Sequence, residues 1–259
     1  MKSPRVVLCM KWGSLYSHDY VNVLFNACLK NISGPFRFVC LTDDDSGISK
    51  EVEIFPIPNI GCEPVMWRHG AWPKLSVFAA DLYGITGKAL FIDMDTVIWG
   101  SLNRFFEYSD NLVTIDTGRN WHPGGVPGAS GALVGTGVFA FQMGSQTQIL
   151  DTFKADPRFA FESHKLEQVW VQNHCSSISF WPEGWVISFK RWLRQPLLLD
   201  LFSQPKSPSS EIGMVAFHGI PRPISLIDKK RMFWDRFPHL GHGVVPWMRE
   251  YWTSNGGQL

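Results

Sequence analysis

The apolar positions of this chain alternate between two spacings. Residues 5–10 form a nearly unbroken apolar run, the pattern of a strand covered on both faces. Lys11-Trp12-Gly13 interrupts it. From about Ser17 the residues Val21, Leu24, Phe25, Cys28 and Leu29 recur three and four apart, which predicts a helix with one apolar face. Ser33-Gly34-Pro35 ends that segment, residues 36–41 predict a second strand, and Thr42-Asp43-Asp44-Asp45 closes it. Strand, helix, strand is the opening of a doubly wound α/β sheet.

An irregular stretch rich in Pro and Gly follows over 56–73, then a predicted helix over 74–83 and a turn at 84–87. Residues 88–92 predict a short central strand that delivers Asp93-Met94-Asp95 at its carboxyl end, where ligands of open α/β sheets gather. Strands are predicted at 112–115 and 138–143, on either side of a Gly- and Pro-rich loop over 117–131 that is long enough for a binding loop or lid. Helices are expected over 146–154 and 166–175, and strands over 178–180 and 214–217. From Asp228 the tail is aromatic and basic in patches.

The 259 residues fit one α/β domain. With 24 basic and 23 acidic side chains the chain lacks the broad positive surface that nucleic acid requires. The five cysteines, Cys9, Cys28, Cys40, Cys62 and Cys175, are odd in number and form no C-x-x-C pair, so free thiols in a reducing cytoplasm are expected rather than a disulfide framework or a zinc site. No apolar run approaches a signal peptide or a membrane span, and the aromatic and basic tail makes a peripheral contact at the inner face of the membrane a further expectation. Twelve tryptophans offer faces for sugar C–H groups, although core packing is the commoner use of such rings.

Chemistry concentrates at Asp93 and Asp95. Two carboxylates one residue apart on a turning strand end repel each other unless a cation lies between them. Mg2+ or Mn2+ takes oxygen ligands and keeps positions open for phosphate oxygens, which makes the pair a diphosphate clamp. A bare Asp-x-Asp is also compatible with a solvated turn. The apolar run 89–92 in front of it, which aims the acids at a ligand crevice, favours the clamp.

Trp72-Pro73-Lys74-Leu75-Ser76, the segment Lys88-Ala89-Leu90-Phe91-Ile92-Asp93-Met94-Asp95-Thr96-Val97-Ile98, and residues 102–106 resemble the Lys-Leu, Asp-x-Asp and following-helix block of GT-A glycosyltransferases. Within these they resemble glycosyltransferase family 8, the glycogenin and bacterial lipopolysaccharide galactosyltransferase group. The resemblance runs from residue 5 to about 223. It implies a Rossmann-like mixed central sheet with helices on both faces, one domain over 1–259 with an extension from about 228, and transfer from a nucleotide-diphosphate sugar with retention at the anomeric carbon. By resemblance, Cys9, Met10, Lys11, Trp12 and Tyr16 border the nucleotide, Lys74 reaches the donor, and Asp93, Met94 and Asp95 form the metal-binding segment. Gly135-Thr136-Gly137-Val138-Phe139 resembles the family's Asn-Ser-Gly-Val-Phe strand without its Asn. Glu167-Gln168 stands where the family has Asp-Gln and faces the reacting sugar, an exposed helix turn being the alternative. Phe217-His218-Gly219-Ile220-Pro221-Arg222-Pro223 is similar to a shortened His-x-x-Gly-x-x-Lys-Pro closing motif. His218 is then a third metal ligand, and Gly219 and Arg222 lie at the diphosphate. The implied donor is a UDP-sugar and the implied acceptor a glycan, lipid-linked or protein hydroxyl.

Two other classes use the same residues. Phe91-Ile92-Asp93-Met94-Asp95-Thr96-Val97 also resembles the nucleophile motif of haloacid-dehalogenase-type phosphatases, with Asp93 taking the phosphoryl group and Asp95 as acid/base. That motif normally opens its fold, whereas strand, helix and strand precede it here. A non-catalytic sugar-binding module would use the tryptophans but has no need of paired acids on a buried strand.

Overall fold

The computed structural model describes residues 3–63, 70–118, 121–124, 133–230 and 232–259. Most of the expected loop over 117–131 and part of the 56–73 stretch lie outside these ranges.

Strand β1 (Arg5–Lys11) has every residue after the first buried. Its alternation explains why: Val7 and Cys9 enter one core cluster, while Val6, Leu8 and Met10 enter another on the opposite face. Helix α1 (His18–Asn31) covers the first face with Val21, Leu24 and Cys28. Leu29, expected on that face, is half exposed. It lies ~80° around the helix from Val21, at the edge of the apolar stripe.

Strands β2 (Arg37–Thr42) and β3 (Glu53–Phe55) extend the sheet in parallel on one side of β1, and β4 (Lys88–Ile92) pairs in parallel on the other. Two short elements, β5 (Thr96–Ile98) and helix α2 (Asn103–Glu107), follow β4. Strands β6 (Leu112–Asp116) and β7 (Val134–Gln142) come next, then helices α3 (Thr147–Ala155), α4 (Pro157–Ser163) and α5 (Glu167–His174), and strand β8 (Ile178–Phe180). Among the described residues the central sheet has seven strands in the order β3-β2-β1-β4-β7-β6-β8, mixed because β7 runs antiparallel to β4 and to β6. A mixed sheet with helices on both faces is the expected α/β architecture.

The segment expected as a helix over 74–83 is instead a 3-10 turn over Trp72–Phe78. Pro73 sets its start, and all seven residues are buried, so no polar face exists to carry a longer α-helix.

Three strands form a smaller sheet, β5 with β9 (Val186–Ser188) and β10 (Met214–Ala216). In the extension from about 228, Trp234 and the α6 (Pro246–Ser254) residues Trp247, Met248, Tyr251 and Trp252 belong to the same core cluster as β10 and α1. Trp72, Trp170 and Trp181 are buried as well, so packing accounts for most of the tryptophans whose surroundings are described. Cys9, Cys28, Cys40 and Cys175 are free thiols. Among the described residues no helix is long and apolar enough to cross a membrane.

Candidate active site

The central sheet ends abruptly after Ile92. The Asp93 N–H donates to the carbonyl of Gly137 on β7 at 2.8 Å, and the Thr96 N–H donates back to the Asp93 carbonyl at 2.9 Å. This tight turn swings the chain out of the large sheet, and β5 joins the small one through Val97 opposite Val215. The turn leaves both acids at the carboxyl end of β4, on the wall of a cavity of about 470 Å³. Met10, Trp12, Tyr16, Lys74 and Met94 share that wall. Leu15, Gly70 and Ala71 also line it and were not singled out by sequence.

Lys74 Nζ lies 2.7 Å from Asp93 Oδ2 and donates to the Thr136 carbonyl at 3.2 Å. An ammonium has three N–H donors, so one remains. Burial works against the Lys74 charge, but the carboxylates of Asp93, Glu167 and Asp95 outweigh it and hold the group above its ordinary value. The Tyr16 hydroxyl donates to Asp95 Oδ2 at 2.7 Å. Arg222 stacks its guanidinium 5.3 Å from the Tyr16 ring centre, which brings the closing motif to the same corner.

The two acids are short of positive charge. Burial pushes the Asp93 carboxyl up to about 7; Lys74 opposes the rise and Asp95 adds to it. Burial also raises Asp95, against the Tyr16 hydrogen bond and the charges of Lys74 and Arg222. The Asp93 side chain keeps 29 % of its surface exposed on the cavity side. A hard divalent cation fits this donor set, because two oxygens held against their own repulsion are stabilised by the charge they lack.

Glu167 lies behind the wall. It is buried, accepts the Thr136 hydroxyl at 2.6 Å, and receives the Ala71 N–H at 3.4 Å. It therefore braces the two segments that flank Lys74. Gln168, next along α5, is half-buried. A Cβ at Gly135 on β7 would overlap the Thr117 methyl and lie 3.3 Å from the Ile115 Cβ, so glycine lets β6 and β7 approach without moving either side chain.

Other expected residues are placed elsewhere. Cys9 is wholly buried in the sheet and does not reach the cavity wall. Lys11 turns aside to Asp44, donating to its carbonyl at 3.0 Å, in a neighbouring hollow with Gly13 and Asp43. His218 is near Asp95 along the backbone, since the Phe217 N–H donates to the Asp95 carbonyl at 3.3 Å. Its ring, however, shares a hydrogen bond of 2.8 Å with Ser188 and lines a separate cavity. Among the described residues no three His, Cys, Asp or Glu side chains converge to hold a metal. Gly219 takes a φ of +70° between His218 and Arg222, a conformation that suits glycine. Lys74 and Tyr16 are both expected from sequence to lie at the donor, but their pairing with Asp93 and Asp95 has no sequence signal.

No protein-family model and no curated protein sequence matches the chain. Solved structures do. The crystal structure of the galactosyltransferase LgtC in complex with donor and acceptor sugar analogs is similar with a TM-score of 0.60 at 10% identity, over 98% of this chain and 97% of that one. The glycosyltransferase GlyE of Streptococcus pneumoniae TIGR4 is similar with a TM-score of 0.59 at 12% identity, over 97% of this chain and 62% of that one. The bifunctional glycosyltransferase WbbM gives a TM-score of 0.52 at 12% identity, over 86% of this chain and 47% of that one. The chain has the GT-A fold that these neighbours share.

Proposed function

We propose that this chain is a divalent-metal-dependent glycosyltransferase that moves a sugar from a nucleoside-diphosphate donor, a UDP-sugar, to the hydroxyl of a glycan or other acceptor with retention of configuration. The observation that carries the reading is the pair Asp93 and Asp95, both raised by burial, at the carboxyl end of the central strand β4 and on the wall of the cavity they share with Lys74 and Tyr16. Its GT-A fold supports it.

Asp93 and Asp95 would hold Mn2+ or Mg2+, with water or donor oxygens completing the set, and the ion would neutralise charge on the departing diphosphate. Tyr16 fixes the Asp95 carboxylate through its hydroxyl. Trp12, Met10 and Met94 supply apolar cavity wall for the nucleoside. Lys74 positions Asp93 and offers its remaining N–H to the donor, and Arg222 supplies a second cation at the same corner. Glu167 acts as a positioning residue through Ala71 and Thr136, which leaves Gln168 as the member of its pair for the sugar. His218 would be the third metal ligand in this reading, although its ring is held by Ser188 in the structure.

Neither the phosphatase nor the binding-module reading gains from the geometry. Asp93, the nucleophile in the first, is tied to Lys74 and ends a strand of a GT-A fold. Titration calorimetry with UDP in EDTA and in Mn2+ tests the proposal. Affinity that rises strongly with Mn2+ is the expected result, and equal affinity in both conditions rejects the metal clamp.

A further inference from the structure

Behind His218 lies a second cavity, of about 360 Å³, that the donor reading does not use. Its wall is built by the π-helical turn Phe189–Leu193 after β9, by residues 218–220, and by the 235–239 loop. Phe189 stacks on Phe217 at 4.6 Å between ring centres, and this contact clamps the turn to the chain leaving β10. The clamp brings Lys190 beside Gly219, where a Cβ would lie 3.8 Å from its Nζ.

The cavity is strongly positive. Lys190, Arg191, Arg194 and Arg236 line it together with His218 and His239. Arg194 pairs with both Asp200 at 2.7 Å and Asp235 at 2.5 Å, so the four cations of the wall less these two carboxylates leave a net charge of about +2, and Asp235 also acts on Lys190. Lys190, Arg191 and Arg236 have no ion pair within 4.0 Å among the described residues. Three cations on a partly enclosed wall repel one another, and an anion between them removes that repulsion while accepting their N–H donors.

Its position gives the anion a role. The segment from His218 to Arg222 divides the two cavities: His218 and Ile220 face the basic one, and Arg222 lies over Tyr16 of the donor cavity. Lys74 and Arg222 stand at the donor corner, and the 218–222 segment lies between it and the second cluster. Phe237, 80% exposed at its rim, offers an apolar surface beside the charges.

We propose that this basic cavity is an anion site that receives a phosphate carried by the acceptor, so that the acceptor of this chain is a negatively charged molecule. The inference rests on the donor reading above for the word acceptor, and on the cavity alone for the anion.

Calorimetry on the full chain with Mn2+, with and without saturating UDP, tests it using glucose, galactose and mannose 6-phosphates against the parent hexoses. At least one phosphorylated sugar should bind about tenfold or more tighter than its parent. Lys190→Gln with Arg191→Gln, and separately the exposed Arg236→Gln, should remove most of that preference while UDP affinity stays within about twofold. No preference for any phosphorylated sugar overturns the proposal, as does a preference that survives in both variants. UDP affinity that falls in parallel with the preference also overturns it, because the cations then serve the donor. A preference that persists when UDP does not bind at all supports the anion site and rejects the donor reading instead.

Discussion

Asp95→Asn should stabilise the metal-free protein while removing its response to metal. Asp95 is buried, and both it and Asp93 are raised above the ordinary carboxylate value. A carboxyl whose folded pKa lies above its unfolded one destabilises the fold at pH values above both. That penalty fades as pH falls from about 7, the value reached by Asp93, towards the ordinary 3.8. The substituted amide keeps an oxygen for the Tyr16 hydroxyl but carries no charge. Relief of one like-charged neighbour is worth on the order of one pK unit, about 1.4 kcal/mol. For a chain of this size that raises Tm by roughly 3–6 °C at pH 7.5 in EDTA. At pH 5 Asp93 is already largely protonated and the gain should shrink to about 1 °C. With Mn2+ and UDP at about 100 times Kd the unmodified protein gains about 2.7 kcal/mol and the variant almost nothing, so the order of the two Tm values inverts. Scanning fluorimetry in these three conditions decides the matter. A variant that melts about 3 °C or more below the parent in EDTA at pH 7.5 would refute the reasoning, because Asp95 would then be held by net attraction from Tyr16 and Arg222.

Mn2+ affinity should fall by about tenfold per pH unit below about 7, as Asp93 takes up a proton that competes with the ion, and calorimetry from pH 5.5 to 8 reads this directly. His218→Ala should raise the Mn2+ concentration needed for half-maximal transfer, whereas Arg222→Ala should weaken UDP binding at saturating Mn2+; radiolabelled sugar transfer and calorimetry separate the two. Thr136→Val keeps shape but leaves the buried Glu167 carboxylate without its hydroxyl donor, which should cost about 1–3 kcal/mol and show as a lower urea midpoint at unchanged m.

What the sequence determined was local. The apolar run 88–92 followed by Asp93-Met94-Asp95 identifies a buried strand ending in two acids, because a strand's two faces and its end are written in consecutive residues. The same holds for β1, α1 and β2, each of which carries its own period. Tertiary structure decided the rest. Lys74 reaches Asp93 from 19 residues away, Tyr16 reaches Asp95 from 79, and Thr136 meets Glu167 across 31. None of these pairings has a periodic signal, because each depends on how separate elements pack. Packing also made residues 72–78 a 3-10 turn, since a segment buried on every side has no polar face to mark a helix. It drew the tail beyond 228 into the core through aromatic rings that in sequence read only as composition. It turned the ring of His218 to Ser188 and gathered Lys190, Arg191 and Arg236 around it. Charges spaced so far along the chain become one field only when the fold removes the distance and the water between them.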